Sequence, residues 1–138
     1  MEVLSALLCD AAEDYQGKLC VLGAFDTIMT QQFPVAHPHC AIALRLLFRS
    51  NDEGLHRFLI RLIDSDGVSC VSEIETEMDV HMPPGELYFV SRNLIINLQG
   101  LPFAAPGQYS LDIVMDEGIV ARIPLQVLAL PPFQGEAG

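Results

Sequence analysis

The fold is decided by the stretch Ser72-Glu73-Ile74-Glu75-Thr76-Glu77-Met78-Asp79-Val80, in which residue character alternates at every position. The odd-numbered residues are all acidic, whereas the even-numbered ones are apolar or carry only a hydroxyl. A period of two residues is typical of a β-strand with one buried face and one solvated face. The stretch therefore predicts a half-buried strand, and its four carboxylates form either a site or the wet side of a sheet.

Similar alternation recurs along the chain, and Gly and Pro clusters divide it into about eight strand-like runs. Short runs of this kind predict an all-β fold, an antiparallel two-sheet β-sandwich with Greek-key, immunoglobulin-like connections. Residues 31–39 contain Pro34 and Pro38 and are predicted to connect the sheets rather than to form a central strand. The runs are residues 3–11, 18–30, 40–49, 55–63, 72–80, 87–98, 109–115 and 119–127.

The length of 138 residues fits one domain that folds without a metal or disulfide. We assign residues 1–130 to a single β-sandwich domain. Residues 131–138 read Pro-Pro-Phe-Gln-Gly-Glu-Ala-Gly and are predicted to form a flexible C-terminal tail.

The hydrophobic pattern also predicts how the hairpin before the acidic strand is paired. A two-residue turn at Asp66-Gly67 would place apolar residues of the run 55–63 beside the glutamates. A longer or bulged turn at residues 64–67 instead places Arg57 and Arg61 on the carboxylate face. We predict the second register, and with it a cross-strand charge ladder, because a one-residue slip would expose the whole apolar set.

Two other hairpins have predicted registers. In the first, Leu7 is placed opposite Val21 and Cys9 opposite Leu19, after a polar turn at residues 13–17. The last hairpin turns at residues 116–118 with Gly118 in the left-handed region. Its predicted pairs are Met115 with Ile119, Leu111 with Ile123, and Asp112 with Arg122 on the wet face.

Individual residues on and beside these strands carry further predictions. Pro124 lacks an N–H group, so its strand is predicted to lie at an edge or to be bulged. The run Leu94-Ile95-Ile96 suggests burial on both sides or a bend. Tyr109 follows Pro106-Gly107 and is a candidate tyrosine corner, in which the hydroxyl bonds back to the connecting loop.

Charge limits the classes of partner. Lys plus Arg is 7 and Asp plus Glu is 18, for a net charge of −11. Such a chain repels nucleic acid and anionic lipid, so we expect neither a nucleic-acid nor a membrane role. Glu2 stands where a secretory signal needs a basic region, and we expect a cytoplasmic location. Cys9, Cys20, Cys40 and Cys70 show no C-x-x-C pair and are expected to be buried, reduced thiols.

A histidine-rich segment, His37-Pro38-His39-Cys40, is the first candidate metal site. On a strand the two histidines share one face and Cys40 points away, so the segment alone cannot supply the three or four ligands of zinc. His56 or His81 would have to be brought in by the fold. We therefore assign no metal ligand or cofactor, and interpret the segment as a polar loop entering a strand.

Acidic residues supply the other candidates. Residues 64–67, Asp-Ser-Asp-Gly, resemble the start of a calcium loop but lack its later ligands and are interpreted as a turn. Asp10 and Asp26 each interrupt the end of an apolar run, and with Glu13 and Asp14 they suggest a carboxylate cluster near the first hairpin. We interpret Asp10 and Asp26 as caps of backbone N–H groups and assign no catalytic residue.

Several short motifs resemble an uncharacterised family of small bacterial proteins. They are Leu8-Cys9-Asp10-Ala11, the segment from Gly17 to Asp26, Phe33-Pro34, His37-Pro38 and the late Pro-Gly-x-Tyr at residues 106–109. The resemblance spans most of the chain and implies a bacterial β-sandwich. It implies no activity, cofactor or catalytic residue.

Three functional hypotheses follow, in order of preference. The first is a non-enzymatic binding or assembly module that forms a homodimer through a sheet edge or face. The second is a module that binds carbohydrate or calcium through loop acids, although the chain has no Trp for sugar stacking. The third is a carboxylate-dependent hydrolase, which requires Asp10 and Asp26 to line one pocket.

Overall fold

The computed structural model describes residues 1–116 and 118–131, which form an all-β sandwich of two sheets. A single-turn 3-10 helix, Ser50–Asp52, interrupts the strands. Residues 132–138 of the predicted tail lie outside the described residues. The strands are β1 (Glu2–Tyr15), β2 (Lys18–Ala24), β3 (Thr27–Thr30), β4 (Val35–Phe48), β5 (Gly54–Asp64), β6 (Ile74–Val80), β7 (Val90–Phe103), β8 (Gly107–Met115) and β9 (Gly118–Ala129).

Strand order defines two sheets, β2-β1-β4-β7 (sheet A) and β3-β9-β8-β5-β6 (sheet B). The strand pairs are antiparallel except β3–β9, which is parallel. The predicted run 18–30 divides between the sheets, because Phe25 N donates to Leu8 O in sheet A while Gln126 N of β9 donates to Asp26 O. The described chain therefore has nine strands where about eight were expected.

The core lies between the sheets and is built from alternate residues of their inner faces. Its largest side chains are below 2 % exposed and come from both sheets. Because only one residue in two can face inward, the alternation in the sequence fixes which side chains these are. They include Leu8, Ile42, Leu44, Leu46, Phe48, Phe58, Ile60, Leu62, Val80, Phe103, Leu111 and Ile113.

The prediction that residues 31–39 lie outside the strands was wrong, since β4 begins at Val35 and includes Pro38. β1 pairs with β4 only along residues 41–47 of β4. Pro38 therefore lies where β4 is paired with β7 alone. A residue without an N–H group is tolerated at such an edge.

The first hairpin is paired differently from the prediction. Val21 lies opposite Ala12 and Leu19 opposite Asp14, because β1 continues to Tyr15. The turn contains only Gln16 and Gly17, with positive φ angles of 53° and 80°. Two consecutive positive φ angles are typical of the tight turn that joins twisted antiparallel strands. The acidic residues taken for a turn are thus part of the strand.

The predicted pairing of the last hairpin is correct at the centre of the hairpin and shifted by one residue at its tip. The pairs Leu111–Ile123 and Asp112–Arg122 are confirmed, but a register irregularity between Ile113 and Val114 places Met115 opposite Gly118. The positive φ, 54°, belongs to Asp116 rather than to Gly118. Glu117 lies outside the described residues.

Pro124 and Tyr109 occupy the positions that the sequence predicted. β3 pairs with β9 only from Gln126 onward, so Pro124 lies on a stretch of β9 that β3 leaves at the sheet edge. The Tyr109 hydroxyl donates to Ala105 O at 2.6 Å, which confirms the tyrosine corner. The Tyr109 ring also packs edge-on against Phe103, with 4.9 Å between centroids.

Candidate functional site

The two lateral sides of the sandwich differ in how they are closed. On one side, residues 24–26 cross from β1 to β9 and hydrogen-bond to both sheets through Phe25 and Asp26. On the other side, β7 is the edge of sheet A and β6 is the edge of sheet B. Unpaired backbone N–H and C=O groups at a sheet edge can pair with a further strand. β6 and β7 are therefore the edges available for such pairing on this side, and β7, with 14 residues, is the longest edge strand of the described chain; β2 and β3 are the edge strands on the other side.

The β6 edge carries the acidic stretch that decided the fold. Arg57 lies opposite Glu77, with Nε 3.4 Å from Oε2, and Arg61 Nε lies 3.1 Å from Glu73 Oε1. The predicted register and charge ladder are confirmed. These side chains are exposed, so each pair contributes only about 0.2–1 kcal/mol. The main effect of the remaining acids is to place negative charge along an edge strand, which opposes pairing with a second acidic chain.

The β7 edge has the opposite character. This strand has 14 residues, and Arg92 is its one charged residue. Leu94 and Ile96 pack against the core between the sheets, while Ile95 packs against a small cluster on the outer face of sheet A. Of the two predictions for this apolar run, burial on both sides or a bend, the structure shows packing on both sides, although Leu94, Ile95 and Ile96 are only partly buried. β7 thus combines a long edge that pairs with no other described strand with low charge, a pattern that soluble proteins usually avoid. Near the C-terminal end of this edge, residues 97–102 share a surface depression with Val71, Ser72 and Ile74.

An exposed apolar segment precedes β7. Leu87, Tyr88 and Phe89 are 53 %, 90 % and 48 % exposed. Isolated apolar side chains on a surface are ordinary, but contiguous ones mark interaction sites. We call residues 87–89 the apolar segment; it leads directly into the free edge.

The hairpin formed by β2 and the second half of β1 folds back over the outer face of sheet A, and we call it the arm. Ser5 of β1 pairs with Arg45, yet Arg45 Nη1 also donates to Gly17 O at the arm's tip, at 2.9 Å. Beneath the arm lies a small buried cluster of Cys9, Ala41 and Ala43. Ala12, Leu19 and Val21 of the arm and Ile95 of β7 pack against it. The arm therefore supports the outer face of β7.

A polar network ties the arm to β7. Asn93 of β7 donates from Nδ2 to Asp14 Oδ2 at 2.9 Å, and its Oδ1 accepts from Arg45 at 2.8 Å. Gly17 N donates to Asp14 Oδ1 at 2.9 Å. The Gly17 hydrogen bond, followed by the Asn93 one, lowers the pKa of Asp14 because both favour the carboxylate. Docking of the arm is thus coupled to the ionisation of Asp14.

We expect Asn93→Ala to raise the pKa of Asp14 while leaving it below its usual range, because the Gly17 hydrogen bond remains. A carboxyl whose pKa is lowered by folding stabilises the fold above its unfolded-state pKa, and that contribution is lost as pH falls through the folded-state value. NMR titration of the Asp14 carboxyl carbon measures the pKa directly. Asn97→Ala, on the same strand, is the control and should leave it unchanged; equal titration of Asp14 in both variants and the wild type would contradict the network.

A second polar feature lies on the outer face of sheet B. Asp112 of β8 is 4 % exposed and lies between Arg61 of β5 and Arg122 of β9 in the register. Its Oδ2 is 3.9 Å from Arg122 Nε, and its Oδ1 accepts from the Ser110 hydroxyl. Asp112 is thus on the predicted face and opposite the predicted partner, but it is buried there rather than solvated. A row of alternating charge therefore crosses sheet B, and it consists of Glu73, Arg61, Asp112 and Arg122.

The histidines do not converge on one another. His37 packs against Phe25 with 5.5 Å between ring centroids, and Cys40 is in the core. His81 Nε2 is 3.2 Å from Asp79, whereas His56 Nε2 is 2.6 Å from Asp52 O. In the described part of the chain, no three His, Cys, Asp or Glu side chains are arranged to hold a metal ion.

The acidic candidates of the loops are also separate. Asp64 Oδ1 accepts from Asp66 N and Val68 N, both at 2.9 Å, which makes residues 64–67 the bulged turn that was predicted. Asp10 and Asp26 are exposed rather than buried, so their interpretation as buried caps was wrong. Among the surface depressions of residues 1–116 and 118–131, Asp10 lines one beside His37, whereas Asp26 lines others beside Pro124.

The four cysteines are free thiols, as predicted, but they are not all buried. Cys9 and Cys40 are buried, and burial raises the pKa of both, that of Cys40 to about 11. Cys70 is half-buried, and Cys20 is exposed on the arm. Cys20 points away from sheet A because the arm's inward positions are taken by Leu19 and Val21.

The fold and the free edge define a small two-sheet β-sandwich protein. The model of a family of unknown function, DUF6941, matches residues 4–128, and the chain belongs to this family. The resemblance to an uncharacterised family is thereby confirmed. A search of curated proteins gave no match. Within the described residues no helix is long and apolar enough to cross a membrane.

The β7 edge and the apolar segment were not singled out from the sequence as a site. The available signal was a charge-poor strand in a chain of net charge −11, directly preceded by three apolar residues. A central strand has the same composition, so this signal indicates an interaction site only when β7 is known to lie at the edge of a sheet.

Proposed function

We propose that this protein is a non-enzymatic assembly module that forms a homodimer through the β7 edge of sheet A. The observation that carries the proposal is the long free edge with Arg92 as its single charge. In a chain of net charge −11, close approach of two copies is most favourable where acidic residues are absent. The acidic β6 edge directs assembly away from sheet B.

The setting of this assembly is a further part of the proposal. Four free thiols support a reducing compartment, and we place the protein in the cytoplasm. The motif resemblance supports a bacterial origin. The net negative charge supports a protein partner over nucleic acid or an anionic membrane.

Size-exclusion chromatography with light scattering tests the dimer. We expect a mass of twice the chain's 15.1 kDa at high protein concentration, falling towards the monomer on dilution. Ile95→Lys should shift the protein to monomer, because a lysine in the middle of an edge strand opposes edge-to-edge pairing in any register. Leu55→Lys makes the same kind of change at an exposed position of β5 and should leave the dimer intact.

Circular dichroism and thermal melting establish that both lysine variants fold, since Ile95 also packs beneath the arm. A wild-type protein that stays monomeric at the highest soluble concentration would overturn the proposal. So would a folded Ile95→Lys variant that still forms the dimer.

A further inference from the structure

The geometry of β7 points to one specific partner arrangement, an antiparallel pairing with a second copy in which Ile95 lies on the twofold axis. This inference rests on the proposed β7 dimer and adds its register and a second contact. Pairing in this way joins two copies of sheet A into a continuous sheet of eight strands. An interface between identical surfaces must be self-complementary, so each residue of β7 and its partner across the axis must fit in both directions.

Strand geometry first limits the register. Leu94 and Ile96 face the core between the sheets, and Ile95 faces the outer side. The two copies of sheet A can join with their core-facing sides on the same side of the combined sheet only under one condition. The twofold axis must lie at a residue of β7, not between two residues. An axis between residues would place an inward side chain opposite an outward one from Val90 to Leu98. Beyond Gly100, which has a φ of 64°, the alternation shifts, because Leu101 also faces the core. The central candidates are therefore axes at Leu94, Ile95 or Ile96.

Side-chain chemistry selects among these three. With the axis at Ile95, Leu94 lies opposite Ile96, and Asn93 lies opposite Asn97, so apolar residues meet apolar ones and amides meet amides. An axis at Leu94 would place Arg92 opposite Ile96, and an axis at Ile96 would place Asn97 opposite Ile95. Cross-strand pairs are the unit of sheet stabilisation, so the matched register is favoured. Arg92 then lies opposite Leu98, where its long side chain can still reach solvent.

The same register gives the apolar segment a partner. Tyr88, which is 90 % exposed, and Phe89 precede the strand and come to the level of residues 101 and 102 of the second copy, beyond Gly100. Pro102 is itself exposed and carries no N–H group. We therefore expect it to contact the second copy through its side chain and not through a backbone hydrogen bond. Both copies make this contact, one at each end of the paired strands. Burial between the copies accounts for the exposure of Tyr88 and Phe89 on the surface of each.

Cysteine cross-linking tests the register. In a Cys20→Ser, Cys70→Ser background, we expect Ile95→Cys to form a disulfide-linked dimer under mild oxidation, because a residue on the axis meets its own copy at disulfide distance. Asn97→Cys lies on the same strand and face but two residues from the axis. It should not cross-link to itself, yet it should cross-link when mixed with Asn93→Cys.

A second measurement addresses the apolar segment. Tyr88→Ala should weaken dimerisation about tenfold or more in dilution light scattering, with an unchanged melting temperature of the monomer. Glu86→Ala, next to the segment, is the matched control and should leave the dimer constant unchanged.

The outcomes separate the two proposals. A dimer that cross-links through Asn97→Cys alone, and not through Ile95→Cys, would overturn the register while leaving the β7 dimer standing. A dimer whose dissociation constant is unaffected by Tyr88→Ala would overturn the second contact. A wild-type protein that is monomeric throughout would overturn the dimer and the register together.

Discussion

Leu62→Ala is expected to lower the free energy of unfolding by about 2–5 kcal/mol. Leu62 is on the inner face of β5, within the hairpin that carries the acidic stretch, and is fully buried. Truncation removes buried methyl groups and leaves a cavity that close-packed neighbours on both sheets fill only in part. Urea unfolding monitored by circular dichroism measures the loss as a lower midpoint with an unchanged slope.

Leu22→Ala is the matched control for this core substitution. Leu22 lies on the arm and is 70 % exposed, so the same truncation there should cost less than about 0.5 kcal/mol. A similar loss in both variants would show that β5 does not place Leu62 in the core.

The second large effect is expected at the charge row on sheet B. Replacing Arg61 and Arg122 together by Met keeps most of their packing but leaves the Asp112 carboxylate without a cation in its row. Because the Asp112 side chain is only 6 % exposed, we expect a loss of about 3 kcal/mol at neutral pH. A buried charge left without its partners retains its desolvation cost.

The same two Met substitutions in an Asp112→Asn background provide the control. An amide carries no charge to compensate, so the loss there should be below about 1 kcal/mol. The four urea unfolding curves form a thermodynamic cycle. Equal losses of unfolding free energy in the two backgrounds would mean that the two arginines do not stabilise the fold through the Asp112 carboxylate.

Local patterns predicted a large part of this fold. The register that places Arg57 and Arg61 beside the glutamates follows from parity alone, since only one parity keeps Phe58 and Ile60 on the apolar face. The tyrosine corner was predictable because Tyr109 follows a Pro-Gly pair at the entry to a strand. In each case the determining residues are neighbours in sequence.

Features that depend on distant pairing were not predictable from the sequence. Thr27 lies beside Gln126, 99 residues further along the chain, and no local pattern encodes the parallel pair they belong to. Asp112 is buried on the outer face between cross-strand neighbours from two other strands, Arg61 and Arg122. The arm was misread because Glu13 and Asp14 suggest a turn, whereas the turn itself is made by Gln16 and Gly17.

The candidate site shows the same division. The sequence predicted either burial on both sides or a bend for the run from Leu94 to Ile96, and it allowed a homodimer through a sheet edge or face. It did not predict that β7 is the edge, because strand order is set by how β4 pairs with β1 on one side and with β7 on the other. Position in a sheet is a property of the whole chain.

The parallel pair of β3 and β9 has a consequence for synthesis of the protein. In the described chain β3 pairs with β9 alone, and β9 is the last of the described strands to be synthesised. While it is being made, the chain holds a growing sheet A but cannot complete sheet B until residue 129 has emerged. Because the two strands are so far apart in the sequence, their pairing closes a long loop, and we expect the β3–β9 pair to form late in folding.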